Sequence, residues 1–186
     1  MADTEIFRSQ VRFYGKHGLY LEDLTPDTDM AKDESLPEIK RQKLLFKTVV
    51  DIYIVAPLIG YLYGRTAQKD GSEPTKNIME GALASHQDRL IFSYELLMIL
   101  DEKDEPDLNE RIRMAFRATD ELAKKGVDIY DAYARGGIEV LHENLIDSSS
   151  DTEDLIRSTM KFVDNFNDSF VLQPEEGLDY TKVLNL

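Results

Sequence analysis

Residues 44–63, LLFKTVVDIYIVAPLIGYLY, form the most apolar stretch of this chain. About 20 apolar residues can span a bilayer, but Lys47, Asp51 and Pro57 interrupt this stretch. A charge at a bilayer centre costs on the order of 3 kcal/mol, so we expect no membrane association. A helix that is apolar on nearly all sides belongs in the centre of a bundle. We therefore interpret the stretch as a buried core helix, which Pro57 should end or kink.

Helical patterns lie on both sides of this stretch. Ser35 and Glu38 form a capping-box pattern that opens the body of the protein. Apolar spacing predicts a long helix over residues 76–100, a helix over 108–125 that ends at Gly126, and another over 127–145. A last helix follows the capping pattern at residues 150–153, with its apolar residues on one side: Leu155, Ile156, Met160, Val163, Phe166 and Phe170. Strand patterns are nearly absent, which predicts an all-α, single-domain bundle of five or six helices.

The chain divides into four regions by composition. Residues 1–20 form an N-terminal arm that either packs on the body or reaches a partner. Residues 21–36 contain six acidic residues and one basic residue, which is typical of a solvated linker. Residues 37–170 form the helical bundle. Residues 171–186 end in TKVLNL, and this apolar ending indicates a tail that is docked rather than free.

The overall composition excludes several classes of function. The chain has 22 basic and 36 acidic residues and a net charge of -14, which disfavours general binding of nucleic acid. Residues 37–70 nevertheless carry six basic and three acidic residues, so a partner that itself handles nucleic acid is not excluded. The absence of cysteine removes disulfides, thiolate metal sites and cysteine nucleophiles. The N-terminal residues lack a signal-peptide pattern, so we expect a cytoplasmic protein.

Asp51 is the first candidate for a functional side chain, because it lies within the apolar core stretch. A buried carboxylate must be paired, hydrogen-bonded or protonated. A structural network is one interpretation. The other is a buried polar site, with members drawn from Asp51, Lys47, Arg65, His86 and Arg89.

The pattern Glu139-x-x-His142 is the second candidate, because carboxylate-bridged metal sites in bundles use Glu-x-x-His pairs. Such sites need two pairs, and His17 and His86 lack a glutamate three residues earlier. We therefore expect Glu139 and His142 to be a surface pair at the edge of an apolar stripe. We predict neither a metal nor another cofactor.

Aromatic residues, glycines and the apolar C-terminus are candidates for contact with a partner protein. Tyrosine suits interfaces and ordinary cores alike, and adjacent glycines either break a helix or allow another backbone to approach closely. The candidate partner-binding residues are Tyr130, Tyr133, Gly136, Gly137, Leu184 and Leu186.

Three hypotheses for function follow from these patterns. The first is a non-catalytic helical interaction subunit, either an adaptor or an accessory subunit, that forms an oligomer or joins a larger assembly. The second is an acidic decoy or inhibitor of a basic, nucleic-acid-binding partner, although basic residues make the surface mixed. The third is an enzyme with a site around Asp51, His86 and His142. Because the chain lacks recognised catalytic motifs and we assign no catalytic residue, the first hypothesis is favoured.

Overall fold

The computed structural model describes residues 6–25, 46–117 and 120–170 of the chain. This part is mostly helical and contains seven helices, more than the five or six expected, together with two short strands. In chain order the elements are β1 (Val11–Tyr14), α1 (Lys16–Leu24), α2 (Val49–Leu62), β2 (Thr75–Ile78), α3 (Glu80–Ser85), α4 (Gln87–Leu100), α5 (Leu108–Phe116), α6 (Asp120–Leu145) and α7 (Thr152–Phe170).

Helix α2 is the apolar core helix that the sequence predicts. Its first turn is closed by a capping box in which the Thr48 side chain accepts from the Asp51 backbone, while the Asp51 carboxylate accepts from the Thr48 N–H at 3.1 Å. Ile52, Tyr53 and Ala56 are completely buried. The predicted start of the bundle at residue 37 lies outside the described residues.

Pro57 does not end α2, because the helix continues to Leu62. Proline has no N–H, so the carbonyl of Tyr53, four residues earlier, lacks its usual helical donor. The hydroxyl of Tyr130 on α6 lies 3.0 Å from this carbonyl oxygen and donates to it. A side chain from the neighbouring helix thus replaces the missing backbone donor, and α2 can pass through the proline.

We expect Tyr130→Phe to lower the free energy of unfolding by about 1–3 kcal/mol, the cost of leaving a buried carbonyl without a donor. The matched control is Tyr61→Phe. The Tyr61 hydroxyl also donates to a backbone carbonyl, that of Leu100 at 2.8 Å, but in an exposed position where water can replace it. Urea denaturation of both variants checks the prediction, and equal losses of stability would contradict it.

Helices α2 and α6 pack with their backbones in close approach. A Cβ on Gly137 would overlap the backbone of Ala56, and one on Gly60 would overlap the carbonyl of Tyr133. Gly136 lies equally close to the backbone of Arg65. Helix α6 is continuous across the two glycines, so of the two alternatives, close approach of another backbone is confirmed.

The N-terminal arm packs on the bundle. Strand β1 pairs with β2 in antiparallel register, with Val11 opposite Ile78 and Phe13 opposite Lys76. Phe7 is buried, and its ring makes an edge contact with Tyr130 at a centroid distance of 5.3 Å. The mostly helical structure agrees with the helical class, but the small two-stranded sheet was not part of the prediction. Each strand has only four residues and pairs with residues 61 to 67 positions away, so local periodicity does not reveal it.

Helix α1 crosses the proposed boundary between the arm and the acidic linker. Leu21 and Leu24, assigned to the linker by composition, are buried on α1. They belong to the packed core, while the two acidic residues of α1 form ion pairs with other elements, Glu22 with Lys76 and Asp23 with His142. Residues 26–36 of the linker lie outside the described residues, and so does the tail 171–186 with Leu184 and Leu186.

Two predicted helix boundaries are wrong. The stretch 76–100 is divided into β2, α3 and α4, and His86 ends α3 and begins α4. The helix predicted for 108–125 ends at Phe116, and α6 runs through Gly126 without a break. At Gly126 a Cβ would overlap the Tyr94 hydroxyl, so close packing rather than helix termination requires this glycine.

Among the described residues, no helix combines the length and the apolar character that a membrane span requires.

Candidate functional site

The carboxylate of Glu139 on α6 is the centre of the largest buried ionic cluster in the described residues. Its Oε1 lies 2.7 Å from Lys16 Nζ and 2.9 Å from His17 Nε2, and its Oε2 lies 2.7 Å from Arg65 Nη2. Arg65 also pairs with the exposed Glu143, one turn further along α6. We refer to Lys16, His17, Arg65 and Glu139 as the Glu139 cluster, which joins α1 and the segment after α2 to α6.

The charge state of Glu139 follows from its neighbours. Burial by itself raises the pKa of its carboxyl group, but hydrogen bonds from Lys16 and His17 and the charge of Arg65 lower that pKa below its ordinary value. Glu139 is therefore ionised at neutral pH, although only 5% of the residue is exposed. The cluster has the geometry of a structural ion-pair network, because Lys16, His17 and Arg65 all bind the same carboxylate.

Burial lowers the pKa of His17, an effect that the hydrogen bond to Glu139 only partly opposes. His17 is thus neutral at pH 7, and its Nε2–H donates to Glu139. Its Nδ1 is buried and has no hydrogen-bond partner among the described groups. The histidine fixes the position of α1 on α6 rather than presenting a free nitrogen to solvent.

His142 has partners different from those of Glu139. Its ring stacks on Tyr20 with a centroid distance of 3.8 Å, and its Nε2 lies 3.1 Å from a carboxylate oxygen of Asp23. Both His142 and Glu139 are 5% exposed, so the predicted surface pair is instead buried. The reason is that α1 covers this face of α6. No group of three or more His, Asp or Glu side chains in the described ranges is arranged to hold a metal ion.

The proposed buried site around Asp51 is only half-buried and brings together two of its five candidates. The Asp51 carboxylate caps α2 and lies 3.2 Å from Arg89 on α4. These hydrogen bonds and the charge of Arg89 lower the pKa of Asp51, although burial opposes them as the largest single effect. Lys47 is exposed. Arg65 belongs to the Glu139 cluster.

His86 is the remaining candidate of that set. Its Nδ1 lies 3.0 Å from the carbonyl oxygen of Ala82, one turn earlier in α3. The hypothesis of an enzyme site around Asp51, His86 and His142 therefore gains no support from the described contacts, because each of the three side chains has different partners. Asp51 acts in helix capping, which matches the structural interpretation.

Four of the six candidate partner-binding residues lie inside the protein. Tyr130 and Tyr133 are 0% and 2% exposed, and Gly136 and Gly137 face the backbone of α2 and the segment that follows it. The Tyr133 hydroxyl donates to the buried Asp101 at 3.1 Å. These residues form the contact between α2 and α6 and so cannot form a docking surface, which corrects the prediction.

An open cleft of about 720 Å³ lies beside the first half of α6. At its edge the carboxylate of Asp131 accepts from the Tyr53 hydroxyl at 2.7 Å, and burial raises the pKa of Asp131. The charged side chains in its wall are four acids and four bases, so the cleft favours no single sign of ligand charge. They are Asp104, Glu121, Asp128 and Asp131, and Lys69, Lys124, Lys125 and Arg135.

Helix α7 presents a row of large apolar side chains to solvent. Ile156, Met160 and Val163 are 57%, 63% and 49% exposed. The adjoining edge of the helix contacts the body, where Leu155 is buried and Phe162 stacks on Tyr63 at 6.1 Å. The sequence places all these residues on one side of α7. The structure divides them into an inner edge and an outer row, which we call the α7 row.

A second row occurs on α5, where Leu108, Ile112 and Phe116 are 52%, 39% and 44% exposed. Single exposed apolar residues are common and need no explanation. Rows along one helix are different, because their side chains lie side by side. The sequence signal for the α7 row was its helical spacing, but nothing local distinguished the covered edge from the open one.

No protein-family model, curated protein or solved structure is similar to this chain.

Proposed function

We propose that this protein is a non-catalytic helical interaction subunit that binds another protein chain through the α7 row. The observation that carries this proposal is the exposure of Ile156, Met160 and Val163 along one helix. Their spacings of four and three residues place them on one face, which suits the groove or apolar face of a second helix.

The attachment of α7 to the body supports a docking role. Of its 19 residues only Leu155 is buried, and its second half makes ring contacts among Phe162, Phe166, Phe170 and Tyr63. The helix is held along one edge, so the other edge is open to a partner. The apolar body beneath it supplies the fixed frame that an interface requires.

The buried ionic cluster fits the same function. The Glu139 cluster holds α1 against α6 through charges that satisfy one another inside the chain. Both carboxylate oxygens of Glu139 already accept from donors of the chain itself. In this proposal the cluster stabilises the packed helices against which α7 lies.

The test is capture of binding partners from a lysate of the native organism by the tagged protein. We expect wild-type protein to retain a defined set of partners and the double variant Ile156→Glu/Met160→Glu to lose them, because two buried charges oppose an apolar interface. Surface substitutions of this kind change stability by only about 0.5 kcal/mol. Circular dichroism verifies that the variant is folded.

The control is Ile112→Glu in the α5 row, which introduces the same charge on another exposed helix. This variant should retain the partners of the wild-type protein. If the α5 variant loses the partners and the α7 variant retains them, the interface lies on α5 and the proposal is wrong. Equal capture by all three proteins would contradict the proposal, because the α7 row would then play no part in binding.

A further inference from the structure

We propose that the cleft beside the first half of α6 binds a small zwitterion of the α-amino acid class, with its carboxylate on Arg135 and its ammonium on Asp131. This inference goes beyond the proposed function and does not involve the α7 row. It rests on two side chains of opposite charge that line the same cleft, neither of which has an ion-pair partner among the described residues.

Asp131 and Arg135 are one helical turn apart on α6, a spacing at which such side chains usually pair. Here they do not pair, and each is held by another element instead. The Asp131 Oδ1 accepts from the Tyr53 hydroxyl on α2 at 2.7 Å. The Arg135 Nε donates to the carbonyl of Ala67 at 2.8 Å. Ala67 is itself fixed to α6, since its N–H donates to the Ala132 carbonyl at 3.0 Å.

The remaining polar atoms of both side chains are accessible from the cleft. Asp131 Oδ2 and the two Nη atoms of Arg135 have no hydrogen-bond partner within the described part of the chain. None of these three atoms belongs to the buried atoms that lack a partner, so all three reach solvent. Because both residues line the cleft, a carboxylate oxygen and a guanidinium edge are available to a ligand.

Both charges are only partly compensated by the protein. Burial raises the pKa of the Asp131 carboxyl more than the Tyr53 hydrogen bond and the charge of Arg135 lower it. Burial likewise lowers the pKa of Arg135 more than the nearby carboxylates raise it. A ligand ammonium beside Asp131 and a ligand carboxylate beside Arg135 would supply the charge-assisted hydrogen bonds that are missing at these half-buried positions.

The arrangement of the two charges defines the class of ligand. The Cβ atoms of residues one turn apart lie about 6 Å from each other, so a ligand that contacts both side chains must carry its own charges close together. An α-amino acid has its ammonium and carboxylate on one carbon atom. The planar guanidinium of Arg135 suits a carboxylate. An anion alone would meet the like charge of Asp131, and a cation alone would meet that of Arg135.

The rest of the cleft is wide enough for the side chain of the ligand. Its wall continues along α6 through Ile129, Asp128 and Lys124, and its volume of about 720 Å³ exceeds that of one amino acid. The cleft is open to water, which weakens both charge pairs. We therefore expect a dissociation constant of roughly 0.1–10 mM.

The experiment is a titration of the isotope-labelled full chain with each standard amino acid, up to about 20 mM, followed by amide chemical shifts. We expect at least one amino acid to shift the amide signals of residues 66–69 and 128–135 in a saturable manner. Its N-acetyl analogue lacks the ammonium and its amide analogue lacks the carboxylate. Each analogue should therefore bind about tenfold more weakly, or weaker still, to the wild-type chain.

Asp131→Asn separates direct contact from a general loss of structure. Asparagine retains the volume and an oxygen that can accept from Tyr53, but it removes the charge. The variant should bind the amino acid about tenfold more weakly. Its affinity for the N-acetyl analogue should equal that of the wild type, because this analogue has no ammonium to lose.

The control is Asp164→Asn on α7, which removes an exposed carboxylate outside the cleft and changes the net charge by the same amount. This variant should bind the amino acid as the wild type does. Equal weakening in both variants would mean that net charge, rather than contact with Asp131, determines the affinity, and the proposal would be wrong.

Two further outcomes overturn the proposal. One is the absence of saturable shifts at the cleft residues for every amino acid. The other is an affinity that N-acetylation or amidation leaves unchanged, because the pair of charges would then not be what the cleft recognises. Neither outcome bears on the proposed function, which depends on Ile156, Met160 and Val163 of α7.

Discussion

Gly137→Ala is expected to lower the free energy of unfolding by more than about 3 kcal/mol. The added Cβ would overlap three backbone atoms of Ala56, its O, C and Cα. Added volume in a packed core usually costs 1–3 kcal/mol because side chains can move aside. Here the obstacle is the backbone of the central helix, so α2 and α6 would have to separate along their contact. Most domains have only 5–15 kcal/mol of stability, and the variant should be unfolded in part even without denaturant.

Gly81→Ala is the matched control for this prediction. Gly81 lies in α3, and no atom lies within 4 Å of the position that its Cβ would take. Alanine there should be neutral or stabilise the helix by up to about 1 kcal/mol. Thermal and urea denaturation of both variants provide the measurement. A Gly137→Ala protein within 1 kcal/mol of the wild type would show that the helices are not in close contact.

Glu139→Ala is expected to lower the free energy of unfolding by about 3 kcal/mol. The change leaves Lys16, His17 and Arg65 without their shared acceptor, and removal of one partner from a buried ion pair costs 3–5 kcal/mol. The lower end applies because the Lys16 and Arg65 side chains are 53% and 36% exposed and water can partly replace the carboxylate. The loss should appear first as detachment of α1, detectable by faster amide hydrogen exchange in residues 16–24.

Glu143→Ala is the control, because it removes an ion pair from the same arginine. The Glu143 side chain is 47% exposed, and such pairs contribute between 0 and 1 kcal/mol. A stability loss for Glu143→Ala as large as that for Glu139→Ala would mean that burial of the carboxylate is not what makes the cluster strong.

The dependence of stability on pH provides a second readout of the Glu139 cluster. The pKa of Glu139 is lower in the folded chain than its ordinary value of 4.5. Its contribution is therefore complete above about 4.5 and decreases as the pH falls through the folded pKa. The lowered pKa of His17 reduces the stability of the wild type and of Glu139→Ala alike below about 6.5, because its largest cause, burial of the imidazole, remains in the variant. The stability difference between the wild type and Glu139→Ala should therefore decrease in acid, as denaturation at several pH values can show.

The core helix was predictable because its signal is local and strong. The stretch that contains α2 is so apolar that its side chains favour burial in water, whichever elements pack against it. Its passage through Pro57 was not predictable. It depends on a donor from Tyr130, which is 73 positions away in the sequence, and the sequence between the two residues does not indicate their contact.

The candidate sites divide in the same way. Helical spacing identified the apolar residues of α7, and the Glu139-x-x-His142 pattern identified two residues that are important in the structure. The pattern suggested a metal site or a surface pair, but α1 covers both residues and provides Lys16, His17 and Tyr20 as their partners. Gly136 and Gly137 were recognised as positions of either a helix break or a close approach, but the backbone that approaches them was not identified.

The sequence by itself determined the helical class and the buried core helix, because periodic hydrophobicity and capping act between residues a few positions apart. Only the tertiary structure decided which faces are covered. It buries the tyrosines that were candidates for partner binding, pairs the charges of α1 with those of α6, and leaves the α7 row exposed. The physical reason is that burial is a property of the assembled surfaces: an apolar stripe has the same sequence pattern whether another helix covers it or water does.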